Sequence, residues 1–249
     1  MLAARHAGAL GAAHVATYQA LFEAERQEVY PVIDAFEARM GYALERDRLE
    51  ASGRVLACPM KKHAPNWQHG RVLYAATRRY LDTSREPDVS VLDVGTAKGF
   101  SALCLLWALT DAGRNGSVVS VDVIDPHGRV PRNTMADPAG RLTLTEILEP
   151  WPETRAIRFV QSTGIDWLRR SQDRVHVAFI DGTHTGQSVA IEGRLISARQ
   201  APGDLAIFDD VNKAGIGAAV AGLEDVYTME RIDLKPGIAR SYALGVRRG

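Results

Sequence analysis

Two short segments in the second half of the chain carry side chains that could do chemistry together. Asp181-Gly182-Thr183-His184 follows the apolar run VHVAFI, and Asp209-Asp210 follows DLAIF. Clustered carboxylates repel, and each resists ionising unless a cation offsets the charge. An all-oxygen set with no cysteine nearby suits a hard divalent ion, Mg²⁺ first, with Mn²⁺ and Ca²⁺ as alternatives. Imidazole exchanges a proton readily near neutral pH, and His184 stands three residues beyond Asp181. Asp209 or Asp210 alone could be explained as the cap of a following helix. Three aspartates at converging positions are harder to explain that way.

A second constellation lies at residues 89–100, VSVLDVGTAKGF. A short apolar run breaks at Gly95, passes through Thr96, Ala97 and Lys98, and breaks again at Gly99 before an apolar segment that begins near Ser101. Strand, glycine turn and helix in succession aim backbone N–H groups and the positive end of the helix at a ligand. The spacing is D-x-G-x-x-x-G, from Asp93 through Gly95 to Gly99. Ala97 takes the place of the second glycine in the dinucleotide pattern G-x-G-x-x-G, which argues against a nicotinamide cofactor.

These residues need a scaffold that brings strand ends together. Apolar runs at 117–123, 156–161, 175–181 and 204–208 predict four more strands after the one at 89–94, with helical segments between them. Alternation of this kind forces a parallel sheet with ligands at the C-terminal strand ends. Adjacent strand ends would then hold Asp181 and the Asp209-Asp210 pair about 5 Å apart. Asp122, at the second strand tip, stands where an acidic residue accepts hydrogen bonds from ribose hydroxyls. Residues 227–234 and 240–246 predict a hairpin around Lys235-Pro236-Gly237. The expected fold is α/β and Rossmann-like, a seven-stranded, mostly parallel sheet with a C-terminal antiparallel hairpin.

Residues 1–65 read as a helical appendage and loop, and 66–249 as the main domain. Residues 57–70 read as a loop and candidate lid, with His63, an exposed Trp67 and His69 as candidate contacts. Arg129 and Arg132, in the proline-rich excursion 125–155, read as solvated charges.

Composition narrows the partners. Thirty basic and thirty acidic residues cancel, so the balance asks for neither nucleic acid nor an anionic membrane. Two cysteines, Cys58 and Cys104, do not make a disulfide framework. No secretory pattern or spanning run is read, and a reducing cytoplasm is the expected setting. The N-terminal helices are a candidate surface for a homodimer or higher homo-oligomer.

The D-x-G-x-x-x-G turn resembles motif I of class I methyltransferases that use S-adenosylmethionine (SAM). The pair VHVAFIDGTHT and DLAIFDDV, with NWQHGRVLY at the entry, is similar to metal-dependent O-methyltransferases, among them catechol O-methyltransferase and bacterial enzymes of natural-product sugars. The resemblance spans about residues 66–246. It implies SAM at Asp93, Gly95, Thr96, Gly99 and Ser101, with Asp122 on the ribose and Ser162 and Thr163 beside the adenine. It implies a divalent ion at Asp181, Asp209 and Asp210, with Asp181 also bordering the cofactor. His184 takes the place of the family's general base; Thr183 stands where some members carry an aspartate base. Lys98 is expected to point to solvent. The implied reaction is methyl transfer to a hydroxyl of a small vicinal diol, sugar or catechol. The alternatives are a metal-independent methyltransferase with His184 as base and a non-catalytic SAM-binding module.

Overall fold

Short runs of β-branched and apolar residues, bounded by charge or glycine, become strands covered on both faces. The structure, a computed structural model, describes residues 12–60, 65–235 and 238–249. Helices α1 (Ala12–Glu25), α2 (Pro31–Met40) and α3 (Arg46–Ser52) come first, then a π-helical turn Gly53–Ala57 and α4 (Gln68–Thr83). The alternating part follows as β1 (Asp88–Val94), α5 (Phe100–Asp111), β2 (Asn115–Asp122), α6 (Leu144–Ile147) and β3 (Ile157–Gln161). It continues through α7 (Gly164–Arg170), β4 (Val177–Ile180), α8 (Gly186–Ser197), β5 (Leu205–Phe208) and α9 (Ala214–Ala221). Strands β6 (Tyr227–Lys235) and β7 (Ile238–Arg247) end the chain.

The seven strands lie in the order β3-β2-β1-β4-β5-β7-β6. Strands β1 to β5 pair in parallel, and β7 runs antiparallel to both β5 and β6. The fold class read from the sequence is the one observed. Chain order runs outward from β1 to β3 on one side and from β4 to β5 on the other. The strand order therefore reverses between β1 and β4, where open α/β sheets form a ligand crevice.

Alternate residues of each central strand face opposite cores. Val91, Val177, Phe179 and Ile207 join a cluster with α4 and α5, while Leu92, Val94, Ala178 and Ile180 join one with α7, α8 and α9. Ile33, Phe36 and Met40 of α2 belong to the first cluster, beside Ile232 and Leu244. Among the described residues, no helix is long and apolar enough to cross a membrane.

Three expectations need correction. Trp67 is 1% exposed, because its ring packs on Phe22 at 4.9 Å and against Gly53. His69 lies in the first turn of α4 rather than in a loop; His63 falls outside the described residues. Arg132 is buried, since its guanidinium donates to the Ala97 carbonyl at 2.7 Å and the Asp125 carbonyl at 2.8 Å. Arg129 does pair at the surface, with Glu146.

Candidate active site

The turn after β1 is shaped by close backbone approach. Gly95 has φ +106°, and a Cβ there would stand 2.4 Å from the Asp181 carbonyl oxygen. Any side chain would therefore push β1 away from the tip of β4. Beneath the turn, Asp93 is fully buried and its Oδ2 accepts from Ser120 Oγ at 2.5 Å, while Ser120 and Thr96 hydroxyls lie 2.6 Å apart. Burial, outweighing the Ser120 and Ser101 hydrogen bonds, pushes the Asp93 carboxyl up to about 7.

A carboxyl raised in the folded state favours folding fully below its unfolded pKa, and that contribution is lost as pH rises through the folded value. Relative to an Asp93→Asn variant, the wild type should lose stability between about pH 4 and 7, by up to about 1.4 kcal/mol per pH unit. Urea unfolding of both proteins across that range checks this. A pH-independent difference would contradict it.

A cavity of about 720 Å³ opens over the strand ends, a size that suits a cofactor with a small acceptor. Gly95, Thr96, Ser101, Asp122, Ser162, Thr163 and Asp181 all line it; Asp93, Gly99 and Asp209 do not. Gly99 acts one layer out, with φ +83° at the start of α5. Lys98, expected in solvent, is 8% exposed and lines the cavity. The Asp122 carboxylate accepts from the backbone N–H groups of Ala97 at 2.8 Å and Ile124 at 2.9 Å, which fixes it at the tip of β2. Ser162 Oγ accepts from Arg170, and Thr163 Oγ1 accepts from the Asp166 N–H as the cap of α7. Both hydroxyls already have protein partners.

At the other end, Asp181, His184 and Asp210 offer one donor atom each, all within 4.8 Å of one another. His184 Nδ1 lies 3.0 Å from Asp210 Oδ2 and 3.3 Å from Asp181 Oδ1. Asp181 Oδ1 is buried without a hydrogen-bond partner. Burial and then the nearby Asp209 push Asp181 well above the usual carboxylate range, against the pull of Arg240. Burial also favours the neutral form of Asp210, but hydrogen bonds from His184 and Lys213 outweigh it and hold that carboxyl well below its ordinary value.

Asp209 is placed differently. Its Oδ2 accepts from Arg240 at 2.5 Å and its Oδ1 from the Asp210 N–H at 2.7 Å, so both oxygens are already engaged, one by a guanidinium and one by a backbone amide. Neither Asp209 nor Asp210 caps α9, whose N-cap is Lys213 with no side-chain bond.

Backbone strain marks the same place. The non-glycine residues with positive φ, among those described, are Ala97, Asn133, His184 and Asp210. Three of the four line this cavity. Such conformations persist where the surroundings impose them, and they collect at functional sites.

Residues 92–211, the span from β1 past the tip of β5, match a family described as a methyltransferase domain. The chain carries a methyltransferase domain. The fold is also that of solved methyltransferases. An O-methyltransferase from Bacillus cereus in complex with S-adenosylhomocysteine (SAH) is 14% identical over 89% of this chain and 93% of that one, with a TM-score of 0.52. TomG, an O-methyltransferase of Streptomyces achromogenes determined with SAM, is 16% identical over 75% and 82%, with a TM-score of 0.52. An rRNA methylase from Streptococcus thermophilus is 12% identical over 70% and 96%, with a TM-score of 0.50. Comparison with curated proteins gives no match.

In the cavity of the methyltransferase, Arg240 and Lys213 carry no local sequence signal, whereas His69, a candidate contact from the sequence, does line it. Arg240 of β7 reaches Asp209 because β7 returns antiparallel beside β5. Burial works against its charge, but Asp209, Tyr242 and Asp181 outweigh it and hold the guanidinium protonated. Lys213 pairs with Asp210. His69 packs edge-on to Phe100 at 4.9 Å, and burial, helped by Arg240 and Lys98, pushes it down to about 3, so it stays neutral.

Proposed function

We propose that this methyltransferase moves the methyl group of SAM to a hydroxyl of a small molecule, with a divalent ion at Asp181 and Asp210 beside His184. The observation that carries this reading is the single cavity, in which the glycine turn and Asp122 share a wall with the Asp181–His184–Asp210 cluster. The cluster suits an ion: two carboxylates converge beside an imidazole, and one buried carboxylate oxygen lacks a partner. When bound, such an ion supplies Lewis acidity that orients a hydroxyl and lowers its pKa. Asp209 supports the site from behind by holding Arg240 and the Asp210 amide.

The chain's own residues would do the rest. The glycine turn admits the methionine end of SAM, and Asp122 holds the ribose. Fixing donor and acceptor in one cavity supplies much of the acceleration in a two-substrate transfer. His184 Nδ1 faces the carboxylates, so Nε2 is the nitrogen left to take the acceptor proton. That duty requires Nδ1 to keep its proton, so His184 cannot ligate an ion through Nδ1 and serve as this base at once. The cavity volume and cancelled charges favour a small acceptor over RNA.

A second reading rests on the contacts of Asp210. His184 and Lys213 already hold that carboxylate, and a His184–Asp210 pair could act as an oriented base without a metal. Chelation separates the two. Activity in excess EDTA should fall by about a hundredfold or more and return with Mg²⁺ or Mn²⁺. Full turnover in EDTA, with no metal by elemental analysis, would leave the His184–Asp210 pair as the account.

A further inference from the structure

Methyl transfer as described leaves one carboxyl in the cavity unused. Glu192, in the second turn of α8, is 2% exposed and lines the same cavity. Its Oε2 is buried with no hydrogen-bond partner, and among the described residues it forms no ion pair. Burial pushes the group up to about 7, so both protonation states are within reach. Gly164 makes room for it, and Gly182 lies beside it. A Cβ on Gly164 would stand 2.3 Å from Glu192 Oε1, and one on Gly182 would stand 4.0 Å from it. The carboxyl end therefore lies under the turns that follow β3 and β4, at that end of the cavity.

This end has the other features a flat nitrogen base needs. Asp122 fixes the ribose position, and the next two residues, Val123 and Ile124, are 56% and 38% exposed and line the cavity. An apolar surface beside a sugar site suits a purine ring. Ser162 and Thr163, the residues first expected at the adenine, have their hydroxyls engaged by Arg170 and by the cap of α7. A buried carboxyl with no partner is costly unless a ligand supplies one.

We propose that Glu192 reads the purine of the cofactor by accepting a hydrogen bond from its exocyclic amine. This rests on the reading that SAM binds here. A site built to bond a donor rejects the analogue that lacks it, because the buried acceptor is then left unpaired. The test uses calorimetry with SAH and with 6-deamino-SAH, in which hydrogen replaces the amine. Wild type should prefer SAH by about tenfold or more. Glu192→Leu should erase the preference by weakening SAH alone, and Glu192→Gln, which keeps an acceptor oxygen, should retain most of it. Circular dichroism and melting confirm that each variant is folded. A folded Glu192→Leu that keeps the preference, or that loses both ligands equally, would overturn the proposal. If wild type binds neither ligand, it is the SAM reading itself that fails, and the proposal falls with it.

Discussion

Replacing Asp210 by asparagine is expected to lower methyl transfer by about 10²–10⁴-fold while SAH still binds. Asparagine is the informative choice because Asp210 has φ +59°. Asparagine tolerates the left-handed region, so the backbone is kept and only the charge is removed. The substitution removes the negative charge of His184's 3.0 Å partner and takes one carboxylate from the cluster. Both readings of the site therefore predict the loss. Asp181→Asn divides them: an ion site loses activity on a similar scale, whereas a His184–Asp210 base retains most of it. Radiolabelled methyl transfer at saturating SAM, with SAH calorimetry alongside, measures both. Turnover of Asp210→Asn within about threefold of wild type would remove Asp210 from the chemistry.

Gly95→Ala should have the largest structural effect of any single methyl addition in the cavity. The residue is at φ +106°, and the new Cβ would meet backbone, the Asp181 oxygen at 2.4 Å and its carbonyl carbon at 2.7 Å. No side-chain rotation relieves a contact with backbone, so β1 and β4 must part at their tips. A loss of about 2–4 kcal/mol in stability is expected, with loss of SAH binding. Gly41 is the control. It has φ +83°, but a methyl added there would meet nothing within 4 Å, so Gly41→Ala isolates the conformational strain, about 1–2 kcal/mol. Urea unfolding that finds Gly95→Ala no worse than Gly41→Ala would contradict the close-approach argument.

What the sequence showed was whatever repeats locally. Apolar runs at Val91, Val118, Val177 and Ile207 alternate with helical segments, and this is enough to specify a parallel sheet. The turn from Asp93 to Gly99 is contiguous, and so are the aspartates at the strand tips. What it hid depends on distant neighbours. Trp67 looked exposed among prolines and lysines, yet Phe22 covers it from α1. Lys98 and Arg132 read as solvated charges but are buried, Arg132 against carbonyls of Ala97 and Asp125. Arg240 stands 31 residues after Asp209 and meets it only through the pairing of β7 with β5. Glu192 sits in a helix with ordinary polar neighbours, and only the glycines at 164 and 182 betray where its side chain goes.

The central claim is that Asp181 and Asp210 hold a divalent ion in the cavity that also binds SAM. Electron paramagnetic resonance of Mn²⁺ titrated into the SAH-loaded protein tests it most directly. The account predicts one saturable Mn²⁺ site per chain in wild type and its loss in Asp210→Asn. No bound Mn²⁺ in wild type, or equal binding in the variant, would contradict it.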